Sequence, residues 1–345
     1  MALTNDPGTV AQYQLYEAQF NGAFAEVEMQ FANAFNAASN GSIQLGNEMH
    51  RGNFRDESFF LEQTGIVQDR DPTSVQTGLV SDLTQEDIRS VKLNKRLQFD
   101  KTEDSFIKTG LPLSTFGRVV GEQAGAAVQV DRVNRVIKAL VAAIGKGNLA
   151  TGSNGFGVGS TILDVSAGAG TTPQNQPSLT HFNINEVFRL LGDRANALQF
   201  GICHSKVWFD LVGDAIVSNS FETQAFAIQN GITATLGRPM LVTDSADLIV
   251  TGTPDNYLTL FLTVGAARID QSEANRTILD RISGLDNIVM RTQSEWAETV
   301  GCKGYSFTGA MDLGGVQDTQ LGTVASWFAK ASDVKSSAGV ILNTI

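Results

Sequence analysis

Three histidines and two cysteines are the residues of this 345-residue chain best suited to metal or nucleophilic chemistry. His50, His181 and His204 lie far apart. None has a second histidine or a carboxylate at the spacing of a zinc hydrolase motif, so that chemistry finds no support. Cys203 adjoins His204, a thiol beside an imidazole. Adjacent residues on a strand point to opposite faces, however, and a base must face the group it activates. Cys203 therefore reads as a buried apolar residue. With Cys302 it forms neither a disulfide framework nor the paired spacing of a zinc site, and a reducing compartment is the simplest setting.

Phosphate chemistry fares no better. The run Gly152-Ser153-Asn154-Gly155-Phe156-Gly157-Val158-Gly159-Ser160 has the glycines of a phosphate loop, but lacks a Gly-Lys-Ser/Thr step and the strand-then-helix context, and reads as a turn. Gly145-Lys146-Gly147 closes a helical pattern, where the dipole favours a cation and disfavours phosphate, and reads as a C-cap. The acid pairs Glu86-Asp87 and Glu103-Asp104 lie among lysines and arginines as a solvated face. Asn40-Gly41-Ser42 and Asn275-Arg276-Thr277 match the glycosylation triplet by chance, given no expected secretory route. The reading names no catalytic residue, no metal and no cofactor.

The elements behind these residues point the same way. A chain that is 42% hydrophobic and 18% charged can bury a sizeable core. A net charge of −11 disfavours tight sequence-independent binding to nucleic acid, which needs clustered cations. No apolar run reaches the ~18 residues of a membrane span, and no Lys or Arg precedes Arg51, so neither a membrane partner nor a leader is expected.

In the first fifty residues Tyr13, Tyr16, Phe20, Phe24, Val27, Phe31 and Phe35 recur every three or four positions, a helical aromatic stripe. It fits an arm that docks on another surface, or a helix packed on its own domain. From Arg51 to Pro112 charged residues interleave with isolated apolar ones, with a short helix expected at Leu83–Ile88 and a one-sided strand over Ser90–Phe106. So few large apolar side chains cannot offset the ~1–2 kcal/mol per residue of backbone entropy, so the segment needs a surface to lie on.

Ser114 to about Ile144 carries the strongest periodicity, a rod of roughly 45 Å at ~1.5 Å per residue. Gly121 and Gly125 weaken it by about 1 kcal/mol each, so packing must hold it. A hairpin or loops around Thr161–Val165, helices at Phe182–Asn196 (capped by Asn183) and Ser205–Ile216, and a short strand at Gln199–His204 follow. Further strands are expected at Arg238–Thr243, Leu248–Val250, Tyr257–Val264, Ala267–Asp270, Ile288–Ser294 and Trp296–Phe307. A long helix, short helices and then strands make an α+β order.

Several stretches together resemble the major capsid proteins of tailed bacteriophages with the HK97-type fold, in the gp13-like branch. They are Asp104–Gly110, Gly121–Ala127, Lys138–Ile144, His204–Leu211, Leu236–Ser245, Glu295-Trp296-Ala297 and Gly301–Tyr305. The resemblance implies an N-terminal arm over residues 1–50, an extended E-loop over 51–112 and a peripheral domain over 113–204 with its spine helix at 114–145. It places a mainly axial domain at 205–287 and a return to the peripheral domain over 288–345.

It further implies that the E-loop lies over a neighbour's spine helix. Phe59, Phe60, Leu61, Val91, Leu93 and Leu97, with Phe20, Phe24 and Phe31 of the arm, are then candidate contacts between subunits. Arg118, Arg132, Arg135 and Lys146 are candidate lumen-facing, weak and non-specific contacts to packaged DNA. One relative cross-links a loop lysine to an asparagine; none of Lys92, Lys95, Lys101 and Lys108 is marked for that role, and no covalent chemistry is expected. The implied partners are copies of the chain in hexamers and pentamers, a separate scaffolding protein, a portal and a decoration protein, in the host cytoplasm during assembly and then in the virion. The alternatives are an encapsulin-type nanocompartment shell and, from another class, an α+β enzyme with an unrecognised site.

Overall fold

The computed structural model describes residues 10–61, 84–102, 113–166, 177–222, 237–282, 289–310 and 315–345, with a few isolated positions between them. The stretches expected at 103–107 and 167–176 lie outside the described residues.

The aromatic stripe forms helix α1 (Val10–Ala38). Tyr16, Phe20 and Phe24, one turn apart, bury their rings, and the helix stops where Asn40 and Gly41 adopt positive φ. Asn36 then reaches back: its Oδ1 accepts from Leu45 N–H at 2.8 Å and its Nδ2 donates to Leu45 O at 2.9 Å, tying strand β1 (Ile43–Asn47) to the helix end.

The spine, α2 (Leu113–Gly147), has 35 residues and is about 52 Å long at ~1.5 Å per residue. Its second half is wrapped on all sides, with Val136, Ile137, Ala139, Leu140, Ala143 and Ile144 fully buried. Along its first half α1 runs parallel and close, because Gly117, Gly121 and Gly125 leave room. A Cβ at Gly121 would stand 2.6 Å from the Phe20 carbonyl oxygen, and one at Gly117 2.8 Å from that of Tyr16. The N-terminal segment thus packs on its own chain.

Two sheets divide the rest. In the long sheet, β10 (Val289–Cys302) is flanked by β9 (Ala267–Ile282) and β3 (Gln85–Thr102), all antiparallel. The 18 residues of β3 span about 60 Å at ~3.4 Å per residue. Strand β1 pairs in parallel with β9, and β2 (Phe54–Phe60) pairs with the front of β3. After a tight turn, β11 (Tyr305–Phe307) and β12 (Trp327–Ala329) extend the sheet.

The compact sheet orders β4 (Ile162–Asp164), β13 (Gly339–Thr344), β8 (Asn256–Thr263), β5 (Leu198–Cys203) and β6 (Met240–Val242), with β7 (Ile249–Val250) also on β8. Helices α3 (His181–Arg189) and α4 (Ser205–Glu222) pack on it. A one-turn helix, α5 (Asp318–Leu321), lies against α2.

Several expectations change. Residues 85–88 are strand, not helix, because they pair with Phe60 to Glu57 of β2. Thr180, not Asn183, caps α3, its Oγ1 accepting the Asn183 N–H at 3.2 Å. Residues 162–164 pair with β13 at the far end of the chain rather than forming a local hairpin. The strand expected at 267–270 continues to Ile282 in the long sheet, and β4 and β5 join the compact one, so sheet membership crosses the boundaries expected at 205 and 288. Pairing partners, not local pattern, decide which sheet a strand enters.

Candidate functional site

At one end of the long sheet lies a hairpin of β2 and the front of β3, tied to β11 by the Arg89 N–H, which donates to Ser306 Oγ at 3.0 Å. Strand β3 changes partner at Val91: behind it, Val91 to Thr102 pair with Val300 to Val289 of β10; ahead of it, Gln85 to Val91 pair with Phe60 to Phe54 of β2. Over the front half β3 has only β2 as a ladder partner among the described residues. Two ion pairs stiffen it: Arg89 grips Asp56 in a two-pronged contact (2.8 and 3.2 Å) and Lys330 reaches Glu86 at 2.6 Å.

The candidate contact residues fall into two groups. Phe60 is 63% exposed near the end of β2, with Phe59 and Leu61 half-buried beside it. Val91 and Leu93 instead belong to the main core, and Leu97 packs among Tyr16, Phe20 and Phe24. Phe20 and Phe24 are closed over by α2, and Phe31 leans on the core of its own chain. The parallel docking of α1 on the glycine face consumes these rings within the subunit.

The spine helix presents an exposed strip. Val119, Gln123, Ala126 and Val130, four and three residues apart, are exposed on one face of α2.

Three of the four candidate DNA-contacting cations are buried. Arg132 binds Glu28 of α1 and Glu298 of β10, both at 2.5 Å. Arg135 pairs with Glu298 and with Asp131 one turn away. Trp296 Nε1 donates to Glu298 Oε1 at 2.8 Å, and Asp318 of α5 joins through Lys95 and, at 3.7 Å, Arg135. Glu298 has no exposure and Arg135 only 2%. Burial alone would push the Glu298 carboxyl up; the two guanidinium groups and the indole N–H outweigh it and hold the group below its ordinary value. Lys146 is buried at the end of α2. Arg118 alone of the four is exposed, 3.6 Å from Glu122 one turn on. Glu298 escaped the sequence reading; its signal was a lone carboxylate two residues from both Trp296 and Val300, on the inward face of a strand.

Cys203 is fully buried, and burial pushes its thiol up to about 12. His204 turns elsewhere, its Nε2 3.6 Å from Asp244 and its ring against Tyr257.

The structure from Microbacterium phage Oxtober96 has 11% identity, covers 88% of this chain and 90% of that one, and gives a TM-score of 0.53. One from Mycobacterium phage Bobi has 11% identity over 86% and 88%, with a TM-score of 0.50. The cyanophage Pam1 capsid asymmetric unit has 12% identity over 84% and 89%, with a TM-score of 0.48. No curated protein matches the chain. The β2–β3 hairpin, a spine helix against a long sheet and a second, compact sheet make up an HK97-type fold. The profile of the Gp13-like family, major capsid protein 13-like, matches residues 12–341. The chain belongs to the Gp13-like family and is a major capsid protein of a tailed bacteriophage, many copies of which build the virion capsid. That membership decides between the two shell readings in favour of the phage coat over the encapsulin.

Proposed function

We propose that the subunit assembles in the host cytoplasm into hexamers and pentamers of an icosahedral shell around double-stranded DNA, guided by a separate scaffolding protein. A portal and, on the finished shell, a decoration protein complete its partners. The long-sheet unit is the peripheral domain and the compact-sheet unit the axial one. The hairpin lies across a neighbour's spine helix, with Phe59, Phe60 and Leu61 meeting the strip of Val119, Ala126 and Val130. The observation that carries this reading is Phe60, a large ring held 63% exposed on a hairpin whose front half, among the described residues, has one ladder partner. Contacts to DNA are weak, and Arg118 is the solvent-facing cation of the four that supports them.

The protein acts as a structural element rather than an enzyme. The 590 Å³ groove between α1 and β9 supports this: its ionisable residues are Glu28 and Arg132, which neutralise each other at 2.5 Å.

Negative-stain microscopy of the purified chain, alone and with a candidate scaffold, tests the reading. Closed hollow particles are expected. A monodisperse monomer under every condition would overturn it.

A further inference from the structure

One face of the hairpin is bare where the same face of the long sheet is covered. Alternate residues of β3 share a face, and its odd-numbered ones lie on the helix side: Val91 and Leu93 belong to the main core with the second half of α2, and Leu97 and Phe99 join the cluster of Phe20, Phe24 and Val128. In front of Val91 that face continues through Arg89, Asp87 and Gln85, opposite Asp56, Ser58 and Phe60 of β2. All six are exposed. The other face is fastened to its own subunit, Arg55 donating to Glu48 at 2.7 Å and Lys330 to Glu86 at 2.6 Å. A sheet normally buries such a face against a second layer. Among the described residues no helix covers this one.

Charge on the bare face is unevenly matched. Arg89 is engaged, gripping Asp56 at 2.8 and 3.2 Å, with its guanidinium carbon 4.9 Å from the centre of the Phe54 ring. Asp87 accepts from the Ser58 hydroxyl at 2.6 Å, and no cation pairs with it among the described residues. On the spine, the exposed strip of Val119, Gln123, Ala126 and Val130 is flanked by Arg118, the one Lys or Arg in the sequence between Leu113 and Asp131. The Arg118 side chain is 61% exposed, and its acid neighbour Glu122 stands 3.6 Å away, too far for a hydrogen bond. Strip and face also match in length. From Val119 to Val130 the helix rises about 16 Å at ~1.5 Å per residue, and from Asp56 to Phe60 the strand covers about 14 Å at ~3.4 Å per residue.

We infer that the α2 helix of a second copy supplies the missing layer over this face, with Arg118 of the partner subunit paired to Asp87 and fixing where along the helix the hairpin lies. The inference rests on the reading of the hairpin as the contact between copies, and names the face and the charge pair that make it. A guanidinium carries five donors in a planar fork, enough to serve Asp87 and Glu122 together with an edge left to solvent. Phe60 is diagonal to Asp87 across the two strands, a separation of about 7–8 Å. It then falls within one helical turn of Arg118, over Val119 or Gln123. Val130 is about 18 Å from Arg118 along the axis at ~1.5 Å per residue, beyond its reach.

Charge exchange in the full chain tests the pair, read as the concentration at which closed particles appear in sedimentation and negative-stain microscopy. D87R and R118D should each raise that concentration about fivefold, and D87R/R118D should bring it back to within about twofold of the parent. E122Q, which removes the competing carboxylate, should not raise it. All three positions are exposed, so the urea midpoint of each variant should stay at the parent value. Disulfide trapping in closed particles reads the register: F60C should link copies through V119C or Q123C and not through V130C, the native cysteines being buried.

Single variants without effect, a double variant as impaired as its two singles combined, or links through V130C alone would overturn the pair and leave the hairpin on its neighbour's spine. Closed particles with no link at V119C, Q123C, A126C or V130C would overturn the docking and the pair with it, the face then being covered by something other than α2. A parent chain that closes no particles under any condition would overturn both.

Discussion

At Gly121 two effects oppose each other. Alanine there would gain about 1 kcal/mol of helix propensity, but its Cβ would meet the Phe20 carbonyl at 2.6 Å. Backbone cannot swing aside as a side-chain tip can, and overpacking of this kind costs about 1–3 kcal/mol. We expect G121A to lower the urea midpoint. G125A meets the side chain of Val27 at 3.1–3.2 Å and should cost less. G22A, on the open face of α1 with nothing within 4 Å, should raise the midpoint, adding up to about 1 kcal/mol of stability. The reverse ranking would mean that α1 does not dock on the glycine face.

Glu298 sets the second expectation. E298Q leaves two buried guanidinium groups short of a counter-charge, a change of about 3–5 kcal/mol in denaturant unfolding. Its folded value is depressed. The stability it contributes is therefore present above the ordinary glutamate value of ~4.3 and is lost as pH falls through the lower, folded one. Acid unfolding of the parent should follow that order, and E298Q should flatten it. A parent curve unaffected by the substitution would mean that the cluster is not what acid breaks.

For helices and strands the partner change at Val91 has a measurable consequence. Residues 91–102 pair with β10, the middle strand between β3 and β9, whereas 54–60 and 85–90 pair with each other in a two-stranded ribbon, which is marginal on its own. In the dilute chain the ribbon should exchange hydrogen much faster than the three-stranded region. In assembled shells the two should converge. F60S should leave the monomer's stability within about 0.5 kcal/mol of the parent while cutting the yield of closed shells. Equal exchange in dilute and assembled chains would show that the ribbon has no partner in the shell.

Charge governs the behaviour of the complete chain. Copies carrying −11 each repel one another on approach. Raising ionic strength from about 0.01 to about 0.15 M shortens the Debye length from ~30 to ~8 Å, so light scattering should show faster association over that range. Slower association would mean that attractive surface pairs outweigh net repulsion.

The long helix, the aromatic stripe of α1 and the wet-faced strand around residues 90–102 were legible because periods of 3.6 and 2 are properties of near neighbours in the chain. The strand character of residues 288–307 could also be read, although the break expected at Glu295 falls instead at Lys303-Gly304, after an unbroken strand from Val289 to Cys302. What the chain order does not record is company. Arg132 and Arg135 look like solvent-facing cations on any helical wheel, and become interior ones because a carboxylate more than 160 positions away arrives beside them. Val91, Leu93 and Phe20 look like contacts awaiting a neighbour, and are covered by their own chain. Burial and pairing are sums over residues distant in sequence, so they exist only once the chain has closed on itself.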